Sequence, residues 1–285
     1  MDRIISLRVS NPCAYDLVLS LIEKMLPFNR IECLILQRIE PDCLENLLHQ
    51  LLSLSKLCSL IIATTDSVQN RAKIYRQIFR LRALKYCKLS LSKKETNRLL
   101  STCVSEYSPI EYLIITSPVY LDELDSLLSY VPQVRRLSLF LYEGTRSRRS
   151  QRYPFVCRQL TQLSLQLSVG INFDLFEEIT RELFRMIEVL HLTLPCYFDR
   201  PYMNANKWEH LIIAHLPYLR IFDIQCTLPP GDDISLWDTT NLISQFTTSF
   251  WIARQWSFAY QPFGNRHKED DLFYSTNPYR YLFER

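Results

Sequence analysis

One arrangement of positions, apolar-x-x-apolar-x-apolar, recurs along this chain. It reads Ile4-x-x-Leu7-x-Val9, Ile31-x-x-Leu34-x-Leu36, Leu57-x-x-Leu60-x-Ile62, Leu84-x-x-Cys87-x-Leu89 and Ile110-x-x-Leu113-x-Ile115 in the first half. It continues as Val134-x-x-Leu137-x-Leu139, Leu160-x-x-Leu163-x-Leu165 and Ile187-x-x-Leu190-x-Leu192, with looser copies at Leu219-x-x-Phe222-x-Ile224 and Ala253-x-x-Trp256-x-Phe258. Successive central residues are 27, 26, 27, 26, 24, 26, 27, 32 and 34 positions apart. Alternation at period two within each copy predicts a short strand with one buried face. The stretches between copies carry the period of a helix instead. Leu44, Leu47, Leu48, Leu51 and Leu52 share one stripe, and Leu121, Leu124, Leu127 and Leu128 another. Leu175, Ile179 and Leu183 form a third, and Trp208, Leu211, Ile212 and Leu216 a fourth.

Strand, helix and strand in succession predict parallel strands joined by right-handed crossovers. About ten such units of about 26 residues predict an α/β solenoid, with a curved parallel sheet on its concave side and helices on its convex side. The solenoid is expected to span residues 1–263. The remaining residues 264–285, beginning Gly264-Asn265-Arg266-His267-Lys268-Glu269-Asp270-Asp271, are expected to form a charged, mobile tail. As the gaps lengthen, Trp237, Phe246, Phe250, Trp251, Trp256, Phe258, Tyr260 and Phe263 accumulate, which predicts an aromatic cap over the last turns at about residues 234–263. No comparable cap precedes the strand expected in residues 1–10. That uncovered edge predicts an upstream domain, a partner at the edge, or marginal solubility of the isolated chain.

The repeats resemble the leucine-rich repeat family, specifically its longer strand-plus-helix repeats of the ribonuclease-inhibitor-like kind. The family pattern Leu-x-x-Leu-x-Leu-x-x-Asn/Cys is kept in its apolar positions. Where the family places the Asn or Cys that ties neighbouring turns together, this chain has Pro12, Ile39, Thr65, Ser92, Pro118, Tyr142, Ser168, Pro195 and Thr227. Threonine and serine can replace some of those hydrogen bonds, whereas proline and isoleucine side chains cannot. A finer resemblance is carried by the Leu-Pro-x-x-x-Ile-x-x-Leu-x-Leu run at 26–36, the run Phe250-Trp251-Ile252-Ala253-Arg254-Gln255-Trp256 and the stretch Phe273-Tyr274-Ser275-Thr276-Asn277-Pro278-Tyr279-Arg280. It is similar to the repeat portion of invertebrate F-box/leucine-rich-repeat proteins, in which an F-box recruits the Skp1–cullin ubiquitin ligase and the repeats hold the substrate. No F-box-like segment occurs in this sequence. The resemblance therefore implies the substrate-recognition part of such a receptor, with the ligase as a partner only through an F-box upstream. A free-standing leucine-rich repeat inhibitor or scaffold, unrelated to ubiquitination, is the alternative.

In such a fold the residues alternating with the buried apolar ones face the concave surface. One row of these reads Arg8, Ile35, Ile61, Lys88, Ile114, Ser138, Ser164, His191 and Asp223; beside it run Cys33, Ser59, Tyr86, Tyr112, Arg136, Gln162, Val189 and Ile221. Isoleucines and tyrosines at nominally solvated positions, flanked by arginine and lysine, are what protein interfaces use. The candidate partner-binding residues are thus Ile35, Ile61, Tyr86, Lys88, Tyr112, Ile114, Arg136, His191 and Asp223. The competing explanation is that β-branched and aromatic residues suit strands for local reasons.

Composition narrows the remaining classes. The chain has 285 residues with 46 leucines, 47% hydrophobic and 22% charged residues and a net charge of +3, a core-forming composition without the basic field that nucleic-acid binding needs. Its four glycines, Gly144, Gly170, Gly231 and Gly264, are isolated from one another, so neither a phosphate-cradling loop nor a dinucleotide fingerprint can be built. Nine cysteines without a Cys-x-x-Cys pair argue against a disulfide framework or a structural zinc site, and Cys87 occupies a core leucine position. The five histidines form no metal-binding motif, and His191 beside Asp223 reads as a binding-surface pair. A non-enzymatic protein without cofactors is expected. With no signal sequence or membrane-spanning run, it is expected in the cytoplasm, with the nucleus as the alternative. The basic run from Glu143 to Pro154, which replaces a helix, reads as a solvated loop or as a phosphate-binding, phosphorylatable or nuclear-import patch.

Overall fold

Strands form where the apolar triplets place them in the computed structural model, which describes residues 6–10, 20, 31–91, 107–144, 157–195, 199–228, 239–261 and 271–276. The basic run at 145–154, Trp237 and Phe263 lie outside the described residues, as do 264–270 and 277–285 of the expected tail. The described residues are α/β, with one mostly parallel sheet of eleven strands. Two compact units make up the chain, one built chiefly from residues 1–140 and the other from residues 160–285.

The first unit contains β1 (Ser6–Val9), β2 (Cys33–Ile39), β3 (Ser59–Thr64), β4 (Tyr86–Ser90), β5 (Tyr112–Tyr120) and most of β6 (Arg136–Tyr142), in that spatial order. From β1 to β5 each strand is parallel to the next, and the central residues of successive repeats are direct partners: Leu7 with Leu34, Leu34 with Leu60, Leu60 with Cys87, Cys87 with Leu113. A one-residue slip would turn every apolar side chain outward, so this register is what the alternation demands. The ties between turns come from the backbone. The carbonyl two residues before each central position accepts from two successive N–H groups of the next strand: Glu32 from Cys58 and Ser59, Cys58 from Lys85 and Tyr86, Lys85 from Glu111 and Tyr112, Glu111 from Arg135 and Arg136. At the far end of β2 the Thr65 N–H donates to the Ile39 carbonyl, joining two positions where the resembled family uses a side chain.

Helix α1 (Pro41–Leu51) begins with proline, which needs no N–H partner there, and buries Leu44, Leu47, Leu48 and Leu51. Leu52, expected on that stripe, follows the helix as its C-cap and is 46% exposed. Helix α2 (Arg71–Phe79) is capped by the Asn70 side chain, which accepts from Lys73 N–H, and it buries Ile74, Tyr75, Ile78 and Phe79. Helix α3 (Leu121–Tyr130) buries all four leucines expected of it.

The second unit contains β7 (Gln162–Leu167), α4 (Phe173–Leu183), β8 (Val189–Leu194), α5 (Ala205–His215) and β9 (Ile221–Leu228). The register again pairs central residues, Leu163 with Leu190 and Leu190 with Phe222, and the same carbonyl position ties the turns, with Thr161 accepting from Glu188 and Val189 and Glu188 from Arg220 and Ile221. On α4 the core is filled by Phe173 and Phe176 with Ile179 and Leu183, while Leu175 is half-buried. The 32-residue gap holds a 3-10 turn, Arg200–Met203, whose Tyr202 is fully buried. The Tyr202 hydroxyl donates to the Ile171 carbonyl at 3.1 Å, and the Trp208 indole N–H donates to the Tyr202 carbonyl at 2.7 Å. The insertion thus adds an aromatic layer whose polar atoms are satisfied.

The end of this unit corrects two expectations. After α6 (Thr239–Gln245) and α7 (Ser249–Ala253) comes β10 (Phe258–Gln261), but it is not the next strand beside β9. Residues Asp271–Ser275, assigned to a mobile tail by their charged surroundings, form β11 and occupy that place, antiparallel to both β9 and β10. The physical reason is alternation: Phe273 is fully buried, stacked on Phe258 at 5.7 Å and packed on Phe246 at 5.4 Å. The buried Asp271 accepts from the Tyr260 hydroxyl, so its charge does not stand alone in the core. Phe246, Trp251, Trp256 and Phe258 form the aromatic cluster expected near this end.

Candidate protein-docking face

Alternate residues of the strands in the first unit are fully buried, so the question is what the residues between them present. In the first unit the parallel register brings Arg8, Ile35, Ile61, Lys88 and Ile114 into one cross-strand row. A second row joins Cys33, Ser59, Tyr86 and Tyr112. Ile35, Ile61, Ile114 and both tyrosines are half-buried, although their neighbours in sequence, Leu34, Leu36, Leu60, Ile62, Cys87 and Leu113, are fully buried. The Arg136 guanidinium stands over the Tyr112 ring at 5.0 Å, a cation–π contact between neighbouring strands. Partial burial raises the pKa of the Tyr86 phenol, with Cys87 and Cys33 adding to the effect, so Tyr86 meets any ligand as a neutral hydroxyl.

At the β1 edge the Arg8 guanidinium donates to Gln37 Oε1 at 2.7 Å. Along the start of the strands, Glu111 pairs with Lys85 at 2.8 Å and lies 3.9 Å from Arg135, and the Lys85 hydrogen bond holds its carboxyl below the usual range. Lys88 and Arg136 are exposed and have no carboxylate partner among the described residues.

The second unit differs. His191 and Asp223 are cross-strand partners, and His191 Nδ1 lies 3.0 Å from Asp223 Oδ2. They were expected on an open binding surface, yet the Asp223 side chain is 7% exposed and that of His191 12%. The cause is β11: its Ser275 hydroxyl donates to the other Asp223 oxygen. The serine is thus bonded to the carboxylate and not to the imidazole, and it is itself buried at 2% exposure, so the trio is a structural tie between β8, β9 and β11 and lacks a nucleophile–base geometry. Asp223 accordingly leaves the set of candidate docking residues, whereas His191 stays half-buried, as the isoleucines of the first unit are.

A feature that sequence reasoning missed lies behind the face. Arg71 and Glu123 form an ion pair at 2.6 Å with side chains 4% and 8% exposed. Arg71 also donates to the Pro118 carbonyl at 2.6 Å and sits 5.5 Å from the Tyr75 ring centre. The two residues are 52 positions apart on different helices, and no pattern links them. Burial pushes the Cys87 thiol up and the Cys157 thiol to about 12, which suits core residues and not nucleophiles. Among the described residues no three potential metal ligands come together, and no helix is long and apolar enough to cross a membrane. No known family model and no curated protein matches this chain.

Proposed function

We propose that this protein is a non-catalytic recognition scaffold of the leucine-rich repeat kind, a solenoid that grips a protein partner on the open face of its parallel strands. The observation that carries the reading is the in-register row of Ile35, Ile61 and Ile114 beside Tyr86 and Tyr112, apolar side chains half-open to solvent on the side opposite the buried apolar positions. A sheet face with no partner gains by placing polar residues there, whereas a docking face gains by keeping aromatic and aliphatic ones. The parallel, equally spaced turns and their repeated backbone ties support the solenoid.

The test is affinity capture from native extract with the wild-type chain and with Ile61→Asp combined with Tyr86→Asp. Both positions face away from the core, so the variant is expected to keep its circular dichroism spectrum and to lose the partners that the wild type retains. An unchanged set of partners refutes the reading. The resemblance to F-box receptors leads us to propose further that the scaffold presents its partner to a ubiquitin ligase. Co-purification of Skp1 with the native full-length gene product is expected on that reading, and its absence leaves the free-standing scaffold.

A further inference from the structure

Resting on that reading, we infer that the partner presents an acidic, apolar-rich extended segment of about eight residues to the first unit. The inference comes from charge and not from the apolar row alone. At the alternating outward positions of β1 to β6 within this unit stand three cations, Arg8, Lys88 and Arg136, and no carboxylate, and the exposed Arg38 at the β2 bulge adds a fourth positive charge. The whole chain has nearly as many acids as bases, 30 against 33, so the face does not inherit its imbalance from composition. Carboxylates do flank it, but Glu111 is already held by Lys85. Lys88 has an isoleucine on either side in its row, and Arg136 lies on a tyrosine. A cation placed among apolar side chains and left without a carboxylate favours a ligand that brings one, because docking removes the water that screens it.

Spacing sets the length. Neighbouring strands stand roughly 4.8 Å apart, so Arg8 on β1 and Lys88 on β4 are separated by roughly 14 Å, and Lys88 and Arg136 on β6 by roughly 10 Å across the sheet. An extended peptide advances roughly 3.3 Å per residue and would meet the three cations with acids about four and three residues apart. The residues between them would fall over Ile35, Ile61 and Ile114. Lysine or arginine at the acidic positions would meet like charge.

A phage-displayed library of random octapeptides, selected on the immobilised full-length chain, tests this directly. Wild type should enrich peptides carrying two or more Asp or Glu with aliphatic or aromatic residues between them. The double reversal Lys88→Glu and Arg136→Glu should bind those peptides at least about tenfold more weakly and enrich basic ones instead. Enrichment of neutral or basic peptides by the wild type overturns the acidic segment. The proposed docking face survives that result if Ile61→Asp still abolishes their binding. The same peptides enriched by wild type and Ile61→Asp overturn both readings. Self-association in light scattering that the double reversal abolishes would identify the occupant as a second copy and also overturn the proposal. Circular dichroism and hydrogen exchange of each variant separate lost binding from lost folding.

Discussion

Breaking the Arg71–Glu123 pair from one side should destabilise the first unit far more than replacing both partners. In Arg71→Ala, Glu123 stays among buried neighbours with its side chain 8% exposed, and the Pro118 carbonyl loses a 2.6 Å donor. Glu123 keeps the Tyr120 N–H at 3.4 Å, a neutral donor that does not replace the guanidinium charge. An uncompensated buried charge of this kind costs about 3–5 kcal/mol, well above the few tenths lost from an exposed pair. In Arg71→Met with Glu123→Leu no charge is left behind, and the net change should fall to about 1 kcal/mol. Because the chain has two units, a single unfolding free energy is a poor readout, whereas hydrogen exchange resolves them. Amides of α2 and α3 should lose protection by roughly 100- to 4,000-fold in Arg71→Ala and only a few-fold in the double replacement. Amides of β7 to β9 serve as the internal reference. If the double replacement loses as much protection as the sum of the single ones, the pair is not a buried unit and the reasoning fails.

Two further outcomes test the corrected parts of the fold. Phe273→Ala removes a fully buried ring from the middle of β11 and should lower the stability of the second unit by about 3–5 kcal/mol, read as lost protection in β9 and β10; a mobile tail would give no change. Alkylation of the folded protein at about pH 8 should label the half-buried Cys33, Cys43 and Cys58 before the buried Cys87, Cys157 and Cys226, as mass spectrometry of the digested product would show. Cys87 reacting as fast as Cys43 would contradict its place in the core.

The repeat period was legible because burial imposes it. Every turn must supply the same two or three apolar side chains to a continuous core, so Leu34, Leu60, Cys87 and Leu113 could be aligned from spacing, and they are direct cross-strand partners. The half-open isoleucines followed from the same alternation. Where the period broke, so did legibility. The DLFYS segment of β11 is short, follows a charged stretch and pairs in the opposite direction, and nothing in its own sequence points to β9. His191 and Asp223 do stand side by side, since they occupy one repeat position, but the burial of Asp223 goes with a bond from that unseen strand. The Arg71–Glu123 contact is set by how two helices lie on the sheet, which no local pattern encodes.

The backbone ties between turns bear on why the face can be read as functional. The resembled family relies on a side-chain ladder that this chain lacks at most positions. Here the carbonyls of Glu32, Cys58, Lys85, Glu111, Thr161 and Glu188 each accept two N–H groups from the next strand, whatever side chain stands there. Stacking therefore depends on the apolar core and the main chain, and places little demand on the outward side chains. Polar residues fill most of the equivalent outward positions of the second unit, Gln162, Ser164, Gln166 and Thr193 among them, with Val189 and Ile221 as apolar exceptions in the same parallel pairing. Strand geometry alone is thus satisfied by glutamine, serine and threonine, and it does not require isoleucine, tyrosine and unpaired cations in the first unit. Replacing Ile35, Ile61 and Ile114 together by threonine should then leave protection in β2 to β5 within about fivefold of wild type while removing the proposed docking. A collapse of those strands would show that the isoleucines serve the fold.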